Sequence, residues 1–294
     1  MKKEIGFIGL GKMGKPMVWR LRRKRWNVFT FDTKVRGNAG SLPELVKKTV
    51  PPRIIWLMIP AGKLVDQVLR SLTPLLNKGD VVIDGGNSFF KDSAKRAAVL
   101  KRKGIFYLDV GISGGPISIK QGRFAVMVGG EKRIYEKTRP LFRALSDTRS
   151  GYMGKSGAGH FAKMVHNGIE YGMLQSLAEG FALLKKAPFR FSLKDVAKAY
   201  NQNSIITSRL TNWLQEGFER YGEDLARVSG TVAHTGEGEW TVKTARELGV
   251  ATPVIKEALD FRIKSKKSPS FTGKILSMLR AVFGGHSVNP NEKR

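Results

Sequence analysis

The stretch EIGFIGLGKMGKPMVWRLRRKR, residues 4–25, decides the fold. A short apolar run (4–9) leads into Gly9-Leu10-Gly11-Lys12-Met13-Gly14, and a segment with helical periodicity (14–25) follows. The order is strand, glycine-rich turn, helix. In a G-x-G-x-x-G turn the first glycine permits the tight bend. The second lets the backbone approach a pyrophosphate, and the third lets the helix pack closely on the strand. The start of the helix then offers unpaired N–H groups and the positive end of its dipole to phosphates. A second strand-like run (27–32) ends in Asp32, 18 residues beyond Gly14. A carboxylate there can accept hydrogen bonds from ribose hydroxyls, which favours NAD over its 2′-phosphorylated form. Lys34 and Arg36 lie just beyond and suit a 2′-phosphate, so NADP stays the alternative. The expected cofactor-binding residues are therefore Gly9, Gly11, Met13, Gly14 and Asp32.

Strand-like runs rich in branched and aromatic residues recur at 53–59, 80–84, 105–109 and 124–130. Helix-like segments such as 64–75 and 93–103 separate several of them. Alternation at this spacing predicts a doubly wound parallel sheet, and continuously apolar strands agree, because both faces of such a sheet are covered. Beyond residue 155 the strand signal disappears. Residues 159–186 read as one long helix, followed by helical segments at 193–202, 208–221 and 241–247. The fold class is α/β plus all-α. An N-terminal Rossmann-type domain (1–156) precedes a helical domain (157–294) for substrate and self-association, with the boundary in the glycine-rich GKSGAG (154–159).

The 294-residue chain is large enough for two cores, and 41% hydrophobic residues is ordinary for a globular protein. No apolar run approaches the length of a membrane span, so no membrane partner is expected. With no cysteine, disulfides, thiolate metal sites and a cysteine nucleophile are excluded. Without an export signal the expected location is cytoplasmic. The net charge of +28 points to anionic partners. RLRRKR (20–25) and KSKK (264–267) read as solvated basic clusters. No nucleic-acid motif or interleaved aromatic set accompanies them, so nucleic acid is not the expected partner.

Three further segments carry chemistry. DGGNS (84–88) and DVGISGGP (109–116) follow strands, so both belong at the carboxyl edge of the sheet, where open α/β folds bind ligands. There Asn87 offers an amide to cofactor and substrate, and Ser113, Gly114 and Gly115 offer a hydroxyl and accessible backbone N–H groups. The third is GHFAKMVHNGIEYG (159–172). Within it Lys163, His166, Asn167, Glu170 and Tyr171 fall at i, i+3, i+4, i+7 and i+8, the spacing of one helix face. Desolvation on an apolar-flanked helix drives a lysine toward its neutral, basic form and a glutamate toward its protonated, acidic form. The two lie about 10 Å apart along the axis, within reach of one small substrate.

These segments closely resemble those of the 6-phosphogluconate dehydrogenase family, a branch of the β-hydroxyacid dehydrogenases. The resemblance runs from the glycine turn to LRAVFGGH near the C-terminus. The lysine and asparagine of the long helix belong to the wider family; His166, Glu170 with Tyr171, and RAVFGGH mark the phosphogluconate branch. The resemblance implies oxidative decarboxylation of 6-phosphogluconate to ribulose 5-phosphate with a nicotinamide cofactor and no metal. Lys163 would take the C3 hydroxyl proton and Glu170 would protonate C1 of the enediol. Asn87, Ser113, Gly114, Gly115, His166 and Asn167 would hold the carboxylate and hydroxyls. Tyr171 and Arg262 would hold the phosphate, with Arg280 and His286 arriving from a neighbouring subunit of a homodimer or homotetramer. The chain resembles the short bacterial and archaeal form. Where the long form has a phosphate-binding lysine, TGEGEW (235–240) has Thr235. Where the long form has Asn-Arg-Thr after the second strand, this chain has Asp32-Thr33-Lys34, which implies NAD.

Overall fold

The computed structural model describes residues 2–148, 150–234 and 236–289. Thr235 and the tail from 290 onward lie outside the described residues. The chain divides into two compact units, Met1–Met164 and Val165–Arg294.

The first unit is built on a seven-stranded sheet in the order β2-β1-β3-β4-β5-β6-β7. The strands are β1 (Glu4–Ile8), β2 (Asn27–Phe31), β3 (Ile54–Leu57), β4 (Val81–Asp84), β5 (Phe106–Ser113), β6 (Ala125–Gly129) and β7 (Gly151–Gly154). From β2 to β5 every pairing is parallel. The sheet is parallel as the alternation predicts, except that β5 and β6 pair antiparallel. The reason is the connection: residues 114–124 hold only the short helix α5 (Pro116–Gln121), too little chain for a crossover. β7 was not predicted, because Gly-Tyr-Met-Gly carries no apolar run to mark a strand.

The sheet is covered on both faces, and β3 shows how. Alternate residues of a strand point to opposite faces. Ile54 and Trp56 enter one cluster with Phe7, Met17, Leu21 and Phe142, under α1 (Gly14–Arg23) and α6 (Lys132–Leu145). Ile55 and Leu57 enter the other with Leu45, Val65, Leu69 and Leu100, under α2 (Leu42–Lys48), α3 (Lys63–Leu72) and α4 (Phe90–Lys101). Trp56 stacks on Phe7 at 6.0 Å between ring centroids, and Phe142 meets it edge-on.

One of the basic clusters, RLRRKR, is solvated at Arg22, Arg23, Lys24 and Arg25 but not at its first residue. Arg20 is buried. Its Nε donates to the Leu145 carbonyl and its Nη2 to Asp147 at 2.6 Å, tying α1 to the end of α6.

The second unit is helical. The long helix α7 (Ala158–Lys186) begins in the first unit and continues into this one. It is followed by α8 (Leu193–Tyr200), α9 (Arg209–Tyr221), α10 (Glu237–Glu247), α11 (Pro253–Lys264) and α12 (Phe271–Gly284). Leu174, Ala178 and Phe181 of α7, at i, i+4 and i+7, pack with Leu193, Leu214, Phe218, Ile275, Met278 and Leu279 in a single core. Ser192, Ser208 and Ser270 cap α8, α9 and α12 by accepting hydrogen bonds from Asp195, Thr211 and Gly273 N–H. Among the described residues no helix is long and apolar enough to cross a membrane.

Candidate active site

β1 to β5 are parallel from β2 through β5, so the segments that follow β1, β2, β4 and β5 emerge at one carboxyl edge of the sheet. The glycine turn, Asp32, Asn87 and Ser113 all belong to that edge. Gly9 has φ +102, and a Cβ there would stand 2.2 Å from the Met58 carbonyl oxygen. A Cβ on Gly14 would meet the Gly9 carbonyl oxygen at 2.0 Å. The protein itself therefore demands these two glycines. At Gly11 it demands nothing, since no atom lies within 4 Å of the space a Cβ would fill. That space is what a pyrophosphate needs, and no side chain caps the start of α1 to compete for its N–H groups. The residues present fit a dinucleotide.

Asp32 closes the turn from the side. Its Oδ2 accepts from Leu10 N–H at 2.6 Å, and its Oδ1 from Lys34 and Val35 N–H at 2.7 and 3.0 Å. Partial burial works to raise this carboxyl. The three backbone donors, with Lys34 nearby, outweigh it and hold the group below the usual carboxylate range. Next to it opens a cavity of about 390 Å³ lined by Asp32, Arg36, Gly37, Asn38, Ala39 and Gly40.

Two aspartates hold the loops that follow β4 and β5, and neither is singled out by the sequence pattern. Asp84 and Asp109 are register partners at the end of β4 and within β5, and both are fully buried. Asp84 accepts from Gly86 N–H at 3.1 Å, and from the Ser88 and Tyr107 hydroxyls at 2.8 Å each. Burial, with the Asp84 carboxylate beside it, pushes the Tyr107 hydroxyl well above its ordinary value, so it remains a donor. Arg96 completes the network, donating to Asp66 at 2.7 Å, to the Gly62 carbonyl at 3.0 Å and to Ser88 at 3.3 Å. The loop carrying Asn87 is thus tied at both ends, while Asn87 itself is exposed.

Asp109 anchors the start of α7, accepting from Gly157 N–H at 2.7 Å and His160 N–H at 2.9 Å. Lys163 follows one turn later, half-buried, with its stem over Gly111; a Cβ on that glycine would come within 2.4 Å of the lysine Cβ. Replacing Asp109 by alanine orphans two buried donors at about 1–3 kcal/mol each. We expect Asp109→Ala to lose about 2–4 kcal/mol in a denaturant melt, and a loss under about 0.5 kcal/mol would show that α7 needs no such anchor.

In the second unit the continuation of α7 carries His166, Asn167 and Glu170, all half-buried, and Tyr171, buried. The predicted apolar flanks are uneven: Met164 is buried, but Ile169 is 52% exposed. Around Tyr171 gather two buried guanidinium groups. Arg262, on α11, lies 3.4 Å from the Tyr171 ring centroid and is only 2% exposed. Its Nε and Nη2 have no hydrogen-bond partner among the described residues. Burial, aided by the neighbouring charge of Arg280, pulls Arg262 down to about 10. Arg280, on α12, is also buried, and burial lowers it in the same way. Burial raises the Tyr171 hydroxyl. His286 lies exposed just past the end of α12.

Glu237, in the first turn of α10, was not singled out by the sequence reading. It is buried, and its Oε1 accepts from Asn167 Nδ2 at 3.4 Å. Its signal in the sequence is weak, an acid in a Gly-Glu-Gly turn where a capping role is the plainest reading. Among the described residues no three histidine or carboxylate groups come together as a metal centre would need.

Comparison with known proteins places the chain in a family. Residues 4–157 match the NAD binding domain of 6-phosphogluconate dehydrogenase, and residues 159–287 match the 6-phosphogluconate dehydrogenase C-terminal domain. A Bacillus subtilis (strain 168) protein provisionally named a 6-phosphogluconate dehydrogenase is 41% identical over 97% of this chain and 99% of its own. The NAD(+)-dependent, decarboxylating 6-phosphogluconate dehydrogenase of Haloferax volcanii is 39% identical, over 97% of this chain and 98% of its own. Among solved structures, Plasmodium falciparum 6-phosphogluconate dehydrogenase, known with NADP+ and with 6-phosphogluconate, superposes with a TM-score of 0.73. It is 25% identical, and the match covers 95% of this chain and 70% of that one. The chain belongs to the 6-phosphogluconate dehydrogenase family.

Proposed function

We propose that this member of the family oxidises and decarboxylates 6-phosphogluconate, giving ribulose 5-phosphate and carbon dioxide, with NAD as the hydride acceptor. The observation that carries the proposal is Arg262. A guanidinium 2% exposed, with two N–H-bearing nitrogens unpartnered, costs several kcal/mol unless an anion joins it. Tyr171 and Arg280 stand beside it, and a phosphate satisfies all three. An unphosphorylated hydroxy acid has no use for this cluster.

The remaining roles follow from the same reading. The glycine turn and Asp32 would hold NAD, which would supply the acceptor for the hydride leaving C3. Lys163 accepts the proton of the C3 hydroxyl. The resulting 3-keto acid breaks its C1–C2 bond, and the lysine ammonium neutralises the charge that develops on the C3 oxygen. Glu170 returns a proton to the carbon that lost the carboxylate, which is C1 of the product. Asn87, Ser113, Gly114, Gly115, His166 and Asn167 hold the carboxylate and hydroxyls. Self-association belongs to the proposal. Arg280 is buried with Tyr171 in its own chain, and we propose that the exposed His286 reaches a neighbouring subunit's site.

The test is turnover of 6-phosphogluconate with NAD and with NADP, following reduced cofactor and carbon dioxide together. Equimolar carbon dioxide and NADH are expected, with kcat/KM for NAD above that for NADP, because Asp32 sits where a 2′-phosphate would bring like charge. Absence of turnover with both cofactors would remove the proposal. A preference for NADP would remove only the role given to Asp32.

A further inference from the structure

Glu237 is a buried carboxylate within reach of the buried guanidinium of Arg280. The start of α10 lies against Tyr171, since a Cβ on Gly238 would stand 2.5 Å from Tyr171 Cε2. Arg280 and Tyr171 both sense the Glu237 charge. A carboxylate can only accept hydrogen bonds, so the Asn167 atom facing Glu237 Oε1 at 3.4 Å must be the amide nitrogen. The Asn167 carbonyl oxygen then faces His166 Nδ1 at 3.1 Å. A carbonyl also only accepts, so Nδ1 must carry the proton. Glu170 Oε2 also lies toward that nitrogen, at 3.8 Å, too far to direct the proton by itself but of the same preference.

We infer that Glu237 is a positioning residue that, through the Asn167 amide, fixes His166 in its Nδ1–H tautomer and leaves Nε2 as the acceptor nitrogen of the ring. The consequence for the substrate rests on the function proposed above: an acceptor nitrogen takes a sugar hydroxyl, whereas a carboxylate oxygen would need a donor. The tautomer itself does not depend on that function and is a property of the ligand-free protein.

The experiment is a long-range proton–nitrogen correlation spectrum of uniformly 15N-labelled protein, at a pH where the imidazoles are neutral. The chain has four histidines, and His166→Asn identifies the signal by its loss. The Nδ1–H form of His166 should dominate in the wild type. In Glu237→Ala the amide is free to turn, and the ratio of Nδ1–H to Nε2–H should fall roughly tenfold, the equivalent of one hydrogen bond. Glu237→Gln, whose carbonyl can still accept from Asn167, should keep the wild-type ratio. Should Glu237→Ala fail to fold, Asn167→Leu tests the same link by removing the acceptor, with the same fall expected. A wild-type His166 mainly in the Nε2–H form overturns the inference, and so does an unchanged ratio in the folded Ala or Leu variant. Wild-type protein inactive on 6-phosphogluconate but with Nδ1–H His166 would sink the function and leave the relay standing.

Discussion

Lys163→Met should lower turnover of 6-phosphogluconate by about 10²- to 10⁴-fold, the usual contribution of a positioned general base. Methionine matches the length of the lysine stem and keeps its apolar packing over Gly111, so the fold and the melting temperature should be unchanged. The cofactor residues are untouched, and NAD affinity measured by direct titration should stay within about twofold of wild type, well under the ~1.4 kcal/mol that a tenfold change represents. The loss is therefore chemical: no group remains at that position to take the C3 hydroxyl proton as hydride departs. Glu170→Ala makes the informative contrast, because on the proposed mechanism it acts after oxidation. It should slow the return of a proton to the enediol by about 10- to 10²-fold and spare hydride transfer seen in a single turnover. Retention of a tenth or more of wild-type turnover in Lys163→Met would take the base role away from this residue.

What the sequence disclosed is local, and what it withheld is tertiary. The glycine turn is legible because its requirements arise within a few residues: a positive φ at Gly9, and a helix start pressed on the strand at Gly14. The face of α7 is legible because helical spacing alone aligns Lys163, His166, Asn167, Glu170 and Tyr171. Asp84 and Asp109 were passed over as residues that merely open their loops, since an acid at a strand end is the common signature of a turn. Their partners lie between 2 and 51 residues away, and no periodicity links Asp109 to His160. Arg20 is hidden for a related reason, and Arg96 carries no signal of its own in the sequence. Arginine in a basic run or on an exposed-looking helix reads as a solvated charge until the chain brings Asp147 or Asp84 to it. The antiparallel β6 has a simple cause that single-sequence alternation misses: its strand pattern looks the same in either direction, and only the length of the connection limits the choice. Glu237 belongs with these, because its meaning comes from Asn167, 70 residues earlier.

Arg262→Met should weaken phosphorylated substrate and at the same time spare or strengthen the ligand-free fold, a pairing that a purely structural arginine cannot produce. In the ligand-free protein, burial that lowers the guanidinium from its ordinary 12.5 to about 10 corresponds to a cost on the order of 3 kcal/mol. Against this stands the contact with the Tyr171 ring, about 2 kcal/mol for a desolvated cation over an aromatic face. The cost is the larger, so a methionine of similar volume should leave stability unchanged or raise it by about 1 kcal/mol. Substrate binding should move the opposite way. Loss of a desolvated charge that meets a phosphate costs about 2–5 kcal/mol, so KM for 6-phosphogluconate should rise by between about 30-fold and about 4,000-fold. Activity toward gluconate, which has no phosphate, should change little, and the preference for the phosphorylated acid should collapse by the same factor. The two readouts, a melt without ligand and the ratio of kcat/KM for the two acids, separate the alternatives. A large destabilisation with an unchanged ratio would make Arg262 a structural cation. An intact ratio with intact stability would place the phosphate elsewhere, and the proposed substrate would then lack its strongest support.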